Sequence, residues 1–255
     1  MRVLNDSPML AFFVYFLVLG FSAWLGSWWR KRRPNLDEGA TKDLDVILTA
    51  TLTLLGLVIG FSFSMAISRY DQRKNYEEAE ANAIGTEYVR ADLLPAADAV
   101  KARALLMAYL DQRILFYQTR DADALRKIGV ETGQLQDQLW SVVKAPPAAQ
   151  PTPLLALAVS GMNDVLNSQG YTQAAWWNRI PISAWCLMAA IAICSNLLFG
   201  YSSHRSGAKA ARLLVLPFVL AIAFFAVADI DSPRAGLIHV RPQNLISLSQ
   251  SLRPQ

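Results

Sequence analysis

Long apolar runs alternate with charged segments along this chain, and the runs approach the length that a membrane-crossing helix requires. Such a helix needs about 20 mostly apolar residues. Asp, Glu, Lys and Arg are absent from the runs and frequent between them. The predicted spans are Met9 to Trp29, Val46 to Ile67, Ile182 to Phe199 and Leu213 to Ala228. The pattern predicts a polytopic membrane protein with about four transmembrane helices.

The first span differs from a secretory signal peptide in its flanks. Only Arg2 supplies positive charge ahead of it, and Asp6 offsets that charge. The apolar run is longer than a signal core, and a basic cluster from Arg30 to Arg33 follows it directly. We therefore expect an uncleaved transmembrane helix.

Between the second and third spans, from Asp71 to Arg179, apolar residues recur at intervals of three and four. This period is typical of amphipathic helices, and no alternating strand pattern is present. Breaks are expected at Pro95, near Gly129, and at a proline cluster. The cluster consists of Pro146, Pro147, Pro151 and Pro153. The predicted class is all-α, with one domain over residues 1–255 and a helical extramembrane region over 71–179. The alanine and glutamate content after Arg69 favours continuation of the second membrane helix beyond that residue.

Composition narrows the function classes. The chain is 53% apolar and 17% charged, with a formal net charge of +4, which suits a protein that is part membrane and part aqueous. The basic residues are divided among segments that flank the spans, so nucleic-acid binding has no support. His204 and His239 are far apart, and Cys186 and Cys194 lie inside the third span. We expect no enzyme activity, no metal site and no cofactor.

Carboxylates are concentrated in the helical middle region. Glu77, Glu78 and Glu80 lie within about one helical turn of Arg73 and Lys74. Such a run predicts a solvated helix face with intrahelical ion pairs.

The second span carries a narrow stripe of small and hydroxylated side chains. At about 100° per residue its members fall within roughly 80° of one another. They are Thr49, Thr53, Gly56, Gly60 and Ser64. One interpretation is close helix packing through the GxxxG pair. The other is a passage for water or ions, with Leu57 and Phe61 at its edge forming a constriction that gates by dewetting. Spacing alone leaves both open.

The segment GLVIGFSFSMAISRYDQRKNYEEAEANAIG resembles the second transmembrane helix of bestrophin anion channels. Ile59, Gly60 and Phe61 match the core of that pattern, and Arg69 with Tyr70 matches its arginine-aromatic step. Three further segments are similar to an uncharacterised family of bacterial bestrophin-like membrane domains. They are SRYDQR, EANAIGTEYVRADLLP and DIDSPRAGLIHV. That second resemblance covers nearly everything from the second span onward.

The resemblance implies a homo-oligomer, pentameric as in bestrophins, that passes small anions through an axial pore lined by the second helices. Its neck positions fall on Phe61, Leu57 and Thr53, and the implied pore and gate set adds Gly60 and Ser64. The chain departs from the bestrophin pattern where threonine replaces an apolar residue at the outermost neck position. It also has no acidic cluster that aligns with the calcium clasp of the animal channels, so calcium gating is not carried over.

Asp229 and Asp231 follow the fourth span directly. They are either hydrated groups at the membrane boundary or partners of Arg69 or Arg73 that shape the mouth of a pore.

Two arguments about topology conflict. Under the positive-inside rule, the basic loops after the first and third spans belong in the cytoplasm, which places the helical middle and both termini outside. The resemblance implies the reverse. In either orientation we expect a multi-pass protein of the bacterial inner membrane. A reporter fused to each terminus distinguishes the two orientations.

The sequence is compatible with three functional hypotheses. An anion channel predicts chloride flux in liposomes, whereas a membrane-anchored helical scaffold or sensor predicts no flux and a partner protein bound to the middle region. A membrane enzyme that uses carboxylates between Glu77 and Glu87 requires a pocket that the sequence does not indicate.

Overall fold

The computed structural model describes residues 7–32, 38–149, 152–203 and 210–253. Within these ranges the chain forms helices and no strand, which confirms the all-α class. The helices are α1 Pro8–Arg32, α2 Glu38–Arg90, α3 Ala96–Gln118, α4 Ala122–Ala149, α5 Pro153–Trp177, α6 Ile182–Ser203, α7 Ala210–Leu213, α8 Val215–Asp231 and α9 Gln243–Leu252, with a 3₁₀ turn at Ala91–Leu93. His204 lies outside the described residues, as do the loop cations Arg33, Arg205 and Lys209.

In the part of the chain that the structure describes, four helical stretches are long and apolar enough to cross a membrane. They are Pro8–Arg32, Lys42–Leu93, Pro153–Ser203 and Ala211–Asp231, and each contains one of the predicted spans. Only 11% of the most apolar window of the second stretch is buried within the chain, against 28% to 44% for the other three. The chain is therefore an all-α polytopic membrane protein whose second span is the least covered.

The chain divides into two compact units. Unit 1 comprises Met1–Tyr70 and Arg179–His239, and unit 2 comprises Asp71–Asn178 and Val240–Gln255. Helix α2 contributes to both, since it runs to Arg90 without interruption. The predicted continuation of this helix past Arg69 is confirmed.

The core of unit 1 is apolar and is supplied by α1, α2, α6 and α8. Its fully buried members include Leu19, Leu55, Met188 and Phe224. Helices α1 and α6 approach unusually closely. A Cβ on Gly26 would lie under 3.0 Å from the Leu197 carbonyl, and one on Gly200 would lie equally near the Ala23 carbonyl. Only glycine leaves room for this crossing, as is common between membrane helices.

The core of unit 2 is built from α3, α4 and α5 with the second part of α2 and with α9. Its fully buried apolar residues include Leu106, Leu110, Leu139, Val143 and Met162. Amphipathic helices with one apolar stripe pack in this way, each burying the stripe and leaving the other face to solvent.

The predicted breaks in unit 2 are only partly present. The break at Pro95 is confirmed, because α3 begins one residue later. The break near Gly129 is wrong, since α4 continues through it to Ala149. Pro146 therefore lies within the last turns of α4 and not in a loop. Pro146 and Val143, which lies about one turn before it, are both buried.

Helix α5 begins where the proline cluster ends. The Thr152 hydroxyl accepts a hydrogen bond from the Leu155 amide at 3.2 Å, which caps the first turn. Pro153 at the first position suits a helix start, because its missing N–H would have no partner there.

Candidate functional site

The stripe on α2 is exposed along its whole length in unit 1. Thr53, Gly60 and Ser64 are exposed, and the side chains of Leu57 and Phe61 are 56% and 65% exposed. Large apolar side chains left uncovered on a membrane helix face either lipid, another copy of the chain or an internal passage.

The opposite face of the same helix is buried. Leu55 is 1% exposed, Ser62 4% and Ala66 0%, and Val58 and Ile59 pack against the same core. At about 100° per residue the centre of this buried face lies roughly 140° from the centre of the stripe. Packing within unit 1 therefore directs the stripe away from the chain's own core.

The GxxxG pair makes no helix contact within the described part of the chain. A Cβ added to Gly56 or to Gly60 would meet no atom of another element within 4 Å. The close-packing interpretation thus has no support inside one subunit, and any such contact would have to come from a second copy.

The two threonine hydroxyls of the stripe are satisfied by their own helix. Thr49 donates to the Asp45 carbonyl and Thr53 donates to the Thr49 carbonyl, both at 2.8 Å. Each hydroxyl oxygen keeps lone pairs and its proton can rotate, so these groups remain available as weak polar contacts for water or an ion.

Arg69 lies beside Asp231 and follows the last residue of the α2 stripe by five residues. Arg69 Nη1 is 3.7 Å from Asp231 Oδ1, and the two side chains are 15% and 3% exposed. The two Asp231 oxygens also accept the Ile180 amide at 3.1 and 3.2 Å. Asp231 therefore connects the interior of α2 and the end of α8 with the segment that leads into α6.

Asp229 has a different role from its neighbour. Its carboxylate accepts the backbone amides of Leu237 at 2.6 Å and of Ile238 at 3.0 Å. These bonds close the irregular segment that follows α8. Two aspartates that look alike in sequence thus serve an ion pair and a loop closure respectively.

Several charged side chains of α2 in unit 2 are buried, contrary to the solvated face predicted for them. Glu78 is exposed, but Glu77 is 1% exposed and Glu80 is 0% exposed. The solvated face predicted for these two glutamates is wrong, because both are buried and their carboxylates bind groups on other helices. Glu80 binds Arg113 on α3, and Glu77 binds the start of α9.

The Glu80–Arg113 pair is the centre of a buried polar network. Arg113 Nε donates to Glu80 Oε1, while the Tyr117 hydroxyl and Thr172 Oγ1 donate to Glu80 Oε2 at 3.4 and 3.1 Å. Burial alone would lower the pKa of Arg113, but the Glu80 charge raises it above its ordinary value. Burial, reinforced by Glu80, raises the pKa of Tyr117. The arginine is charged and the tyrosine is a neutral donor at any physiological pH.

Glu77 caps the N-terminus of α9. Its Oε1 accepts the amides of Asn244 and Leu245 at 2.9 and 3.0 Å, and its Oε2 accepts Asn244 Nδ2 at 2.6 Å. A carboxylate at this position satisfies otherwise unpaired amides and complements the helix dipole.

A sequence signal for these buried charges did exist. Positions 73, 77, 80, 84 and 87 follow the alternating spacing of four and three that marks a helix face buried in its neighbours. Arg73, Ile84 and Glu87 are each at most 1% exposed, like Glu77 and Glu80. Because four of these five residues are charged, a search for apolar residues at helical spacing does not identify the face as buried.

Within the described ranges, no group of three or more His, Cys, Asp and Glu side chains is placed to hold a metal ion. Cys186 and Cys194 are free and exposed.

Comparison with known proteins agrees with this architecture. A crystal structure of a point variant of a bacterial bestrophin homolog from Klebsiella pneumoniae is 13% identical, with 96% of this chain and 97% of that chain covered and a TM-score of 0.63. Another crystal structure of a bacterial bestrophin homolog from the same organism is 13% identical, with 96% and 99% covered and a TM-score of 0.61. At this identity the likeness shows the fold. The comparison with curated proteins gave no match.

The sequence itself supplies the family. The model of the bestrophin-like domain matches residues 13–245, which includes the four candidate spans almost completely and most of both compact units. The described segments SRYDQR and DIDSPRAGLIHV, on which the resemblance partly rested, lie inside this match. The chain belongs to the bestrophin-like domain family.

Proposed function

We propose that this protein is an oligomeric ion channel of the bestrophin type, and that small anions pass through an axial pore lined by the α2 stripe. The observation that carries the proposal is the two-sided character of α2. One face is buried in its own subunit, and the opposite face exposes Thr53, Leu57, Gly60, Phe61 and Ser64.

An oligomer follows from the geometry of a single helix. One exposed stripe cannot enclose a pore, so several copies have to place their α2 helices around a common axis. The family resemblance favours five copies. Leu57 and Phe61 would then form rings of apolar side chains, which act as a constriction that closes by dewetting.

The charge of the stripe suits an anion. No Asp or Glu occurs between Val46 and Ile67, so the lining carries no negative charge to repel a halide. Threonine and serine hydroxyls replace part of the hydration shell of an ion within the narrow part of the pathway.

The location of unit 2 completes the proposal. The α2 helix has 53 residues and is about 80 Å long at 1.5 Å per residue, far more than the roughly 30 Å of hydrocarbon in a bilayer. This length supports an extramembrane location for the charged part from Asp71 onward, the region over residues 71–179. The membrane is the bacterial inner membrane.

Reconstitution of the purified wild-type protein into liposomes tests the proposal. Native mass measurement first establishes the subunit number, with five copies of the 28.2 kDa chain expected. We expect chloride or iodide efflux above that of protein-free liposomes. Absence of anion flux from verified oligomers would remove the channel proposal and favour a non-conducting scaffold or sensor whose helical region binds a partner protein.

A further inference from the structure

Glu87 is a buried acid that neither the pore nor the other polar networks use. It lies in the last turn of α2 and is 1% exposed. Among the described residues its Oε2 has no hydrogen-bond partner. A carboxylate in that position is costly when charged, whereas the protonated acid is far cheaper to bury.

The surroundings of this carboxyl are shaped to admit it. A Cβ on Gly161 of α5 would lie under 3.0 Å from Glu87 Oε2 and also under 3.0 Å from Arg90 Nη1. Gly161 is itself buried, so no larger residue fits between the two helices without displacing these groups. The Glu87 side chain thus packs directly against the backbone of α5.

Two charged groups act on Glu87. Arg90 lies one turn away on α2, and Asp164 lies one turn beyond Gly161 on α5. Burial raises the pKa of the Glu87 carboxyl to about 8, Arg90 opposes this rise and Asp164 adds to it. The carboxyl is therefore neutral in the folded protein at neutral pH.

We propose that Glu87 is a proton-operated switch for the contact between the end of α2 and α5. The neutral acid packs against Gly161 and holds the two helices together. Loss of the proton leaves a buried carboxylate between Arg90 and Asp164 with no hydrogen-bond donor at its Oε2, and this part of α5 then loosens to admit water. The switch lies within unit 2 and does not depend on whether the protein conducts ions.

The direction of the pH effect follows from linkage. The folded-state pKa is above the ordinary carboxyl value of 4.5, so the folded state holds the proton more tightly than the unfolded state. The stabilising contribution is complete below about pH 4.5 and is lost as pH rises through about 8. Alkaline pH therefore opens the contact.

Infrared difference spectroscopy on the full-length protein in detergent tests the titration. Between about pH 6 and pH 9, wild type should lose one protonated-carboxyl band that Glu87→Gln lacks. The matched control is Glu78→Gln, which removes an exposed glutamate of the same helix and should retain the band. Identical difference spectra for wild type and Glu87→Gln would overturn the proposal.

Hydrogen–deuterium exchange tests the contact itself. After correction for intrinsic exchange, amides of α5 around Gly161 should exchange about tenfold faster at pH 9 than at pH 7 in wild type, the change expected for one pKa unit of titration. Glu87→Gln should show no such pH dependence, because its amide cannot ionise. If Glu87→Gln raises exchange equally at both pH values and keeps the wild-type slope, the residue is only structural and the switch is refuted.

Discussion

Arg69 and Asp231 form an ion pair between two helices of unit 1, with Nη1 and Oδ1 3.7 Å apart. The pair joins α2, at a point two residues beyond the predicted second span, to the last residue of α8. Asp231 also accepts a hydrogen bond from the Ile180 amide. Because α2 carries the candidate pore stripe, this contact fixes the helix that the proposed channel depends on.

Removal of Asp231 should destabilise the protein strongly. In Asp231→Ala the nearly buried Arg69 guanidinium loses its partner and the Ile180 amide loses its acceptor, so we expect a loss of about 3 kcal/mol. Asp231→Asn keeps one acceptor oxygen and should lose less. Thermal unfolding in detergent measures the effect, with Asp71→Ala, at an exposed position of α2, as the control. Equal melting temperatures for Asp231→Ala and the control would contradict a supporting role.

Truncation of the large side chains on the stripe should change ion flux. Phe61→Ala and Leu57→Ala widen the proposed constriction and weaken its dewetting barrier, so we expect flux or the halide selectivity ratio to change at least about threefold. The matched control is Phe63→Ala, which removes the same ring from a position about 160° away from Phe61 around the same helix. If Phe63→Ala alters flux as much as Phe61→Ala, the stripe does not line the pathway.

Removal of one partner of the buried Glu80–Arg113 pair should lower the free energy of unfolding more than replacement of both partners by apolar residues. Glu80→Ala leaves Arg113 charged and buried, with an expected loss of about 3–5 kcal/mol in unfolding free energy. The double variant Glu80→Leu with Arg113→Met removes both charges and should recover much of that loss. The free energies of unfolding of the single and double variants are measured by denaturant unfolding. Additive losses would show that the two side chains do not interact, while Glu78→Ala should stay near wild type.

Glu77 should determine whether α9 stays bound to unit 2. In Glu77→Ala the amides of Asn244 and Leu245 lose their acceptor, and we expect a local loss of about 1–2 kcal/mol. Amide exchange over residues 243–252 should rise about tenfold, with no change in α4. Exchange in α9 that matches Glu78→Ala would show that the cap is unimportant, and that apolar contacts such as Leu248 on Gly85 hold the helix.

The membrane helices were predictable because their signals are local. An uncharged apolar run of about 20 residues has few alternatives to a transmembrane helix, and all four runs are helices in the structure. The stripe from Thr53 to Ser64 follows from the fixed rotation per residue. Helix ends were less certain, since Pro146 and Gly129 lie in a helix that tertiary packing extends.

The buried charges were not predictable from local pattern. Glu77, Glu78 and Glu80 are adjacent and chemically alike, yet only Glu78 faces water. Which carboxylate is buried depends on partners 33 residues away in α3 and 167 residues away in α9. A carboxylate can be buried only where an opposite charge or a set of hydrogen-bond donors lies next to it. Tertiary packing decides which residues lie there.

By itself the sequence determined the helical class, the four spans, and the stripe on the second of them, because apolar length and helical period act within one segment. Only the tertiary structure decided that the stripe faces away from its own subunit, that Asp231 rather than Asp229 meets Arg69, and that Glu87 packs against Gly161. The physical reason is that these outcomes depend on which helix faces are buried together, and the residues concerned lie far apart in the chain.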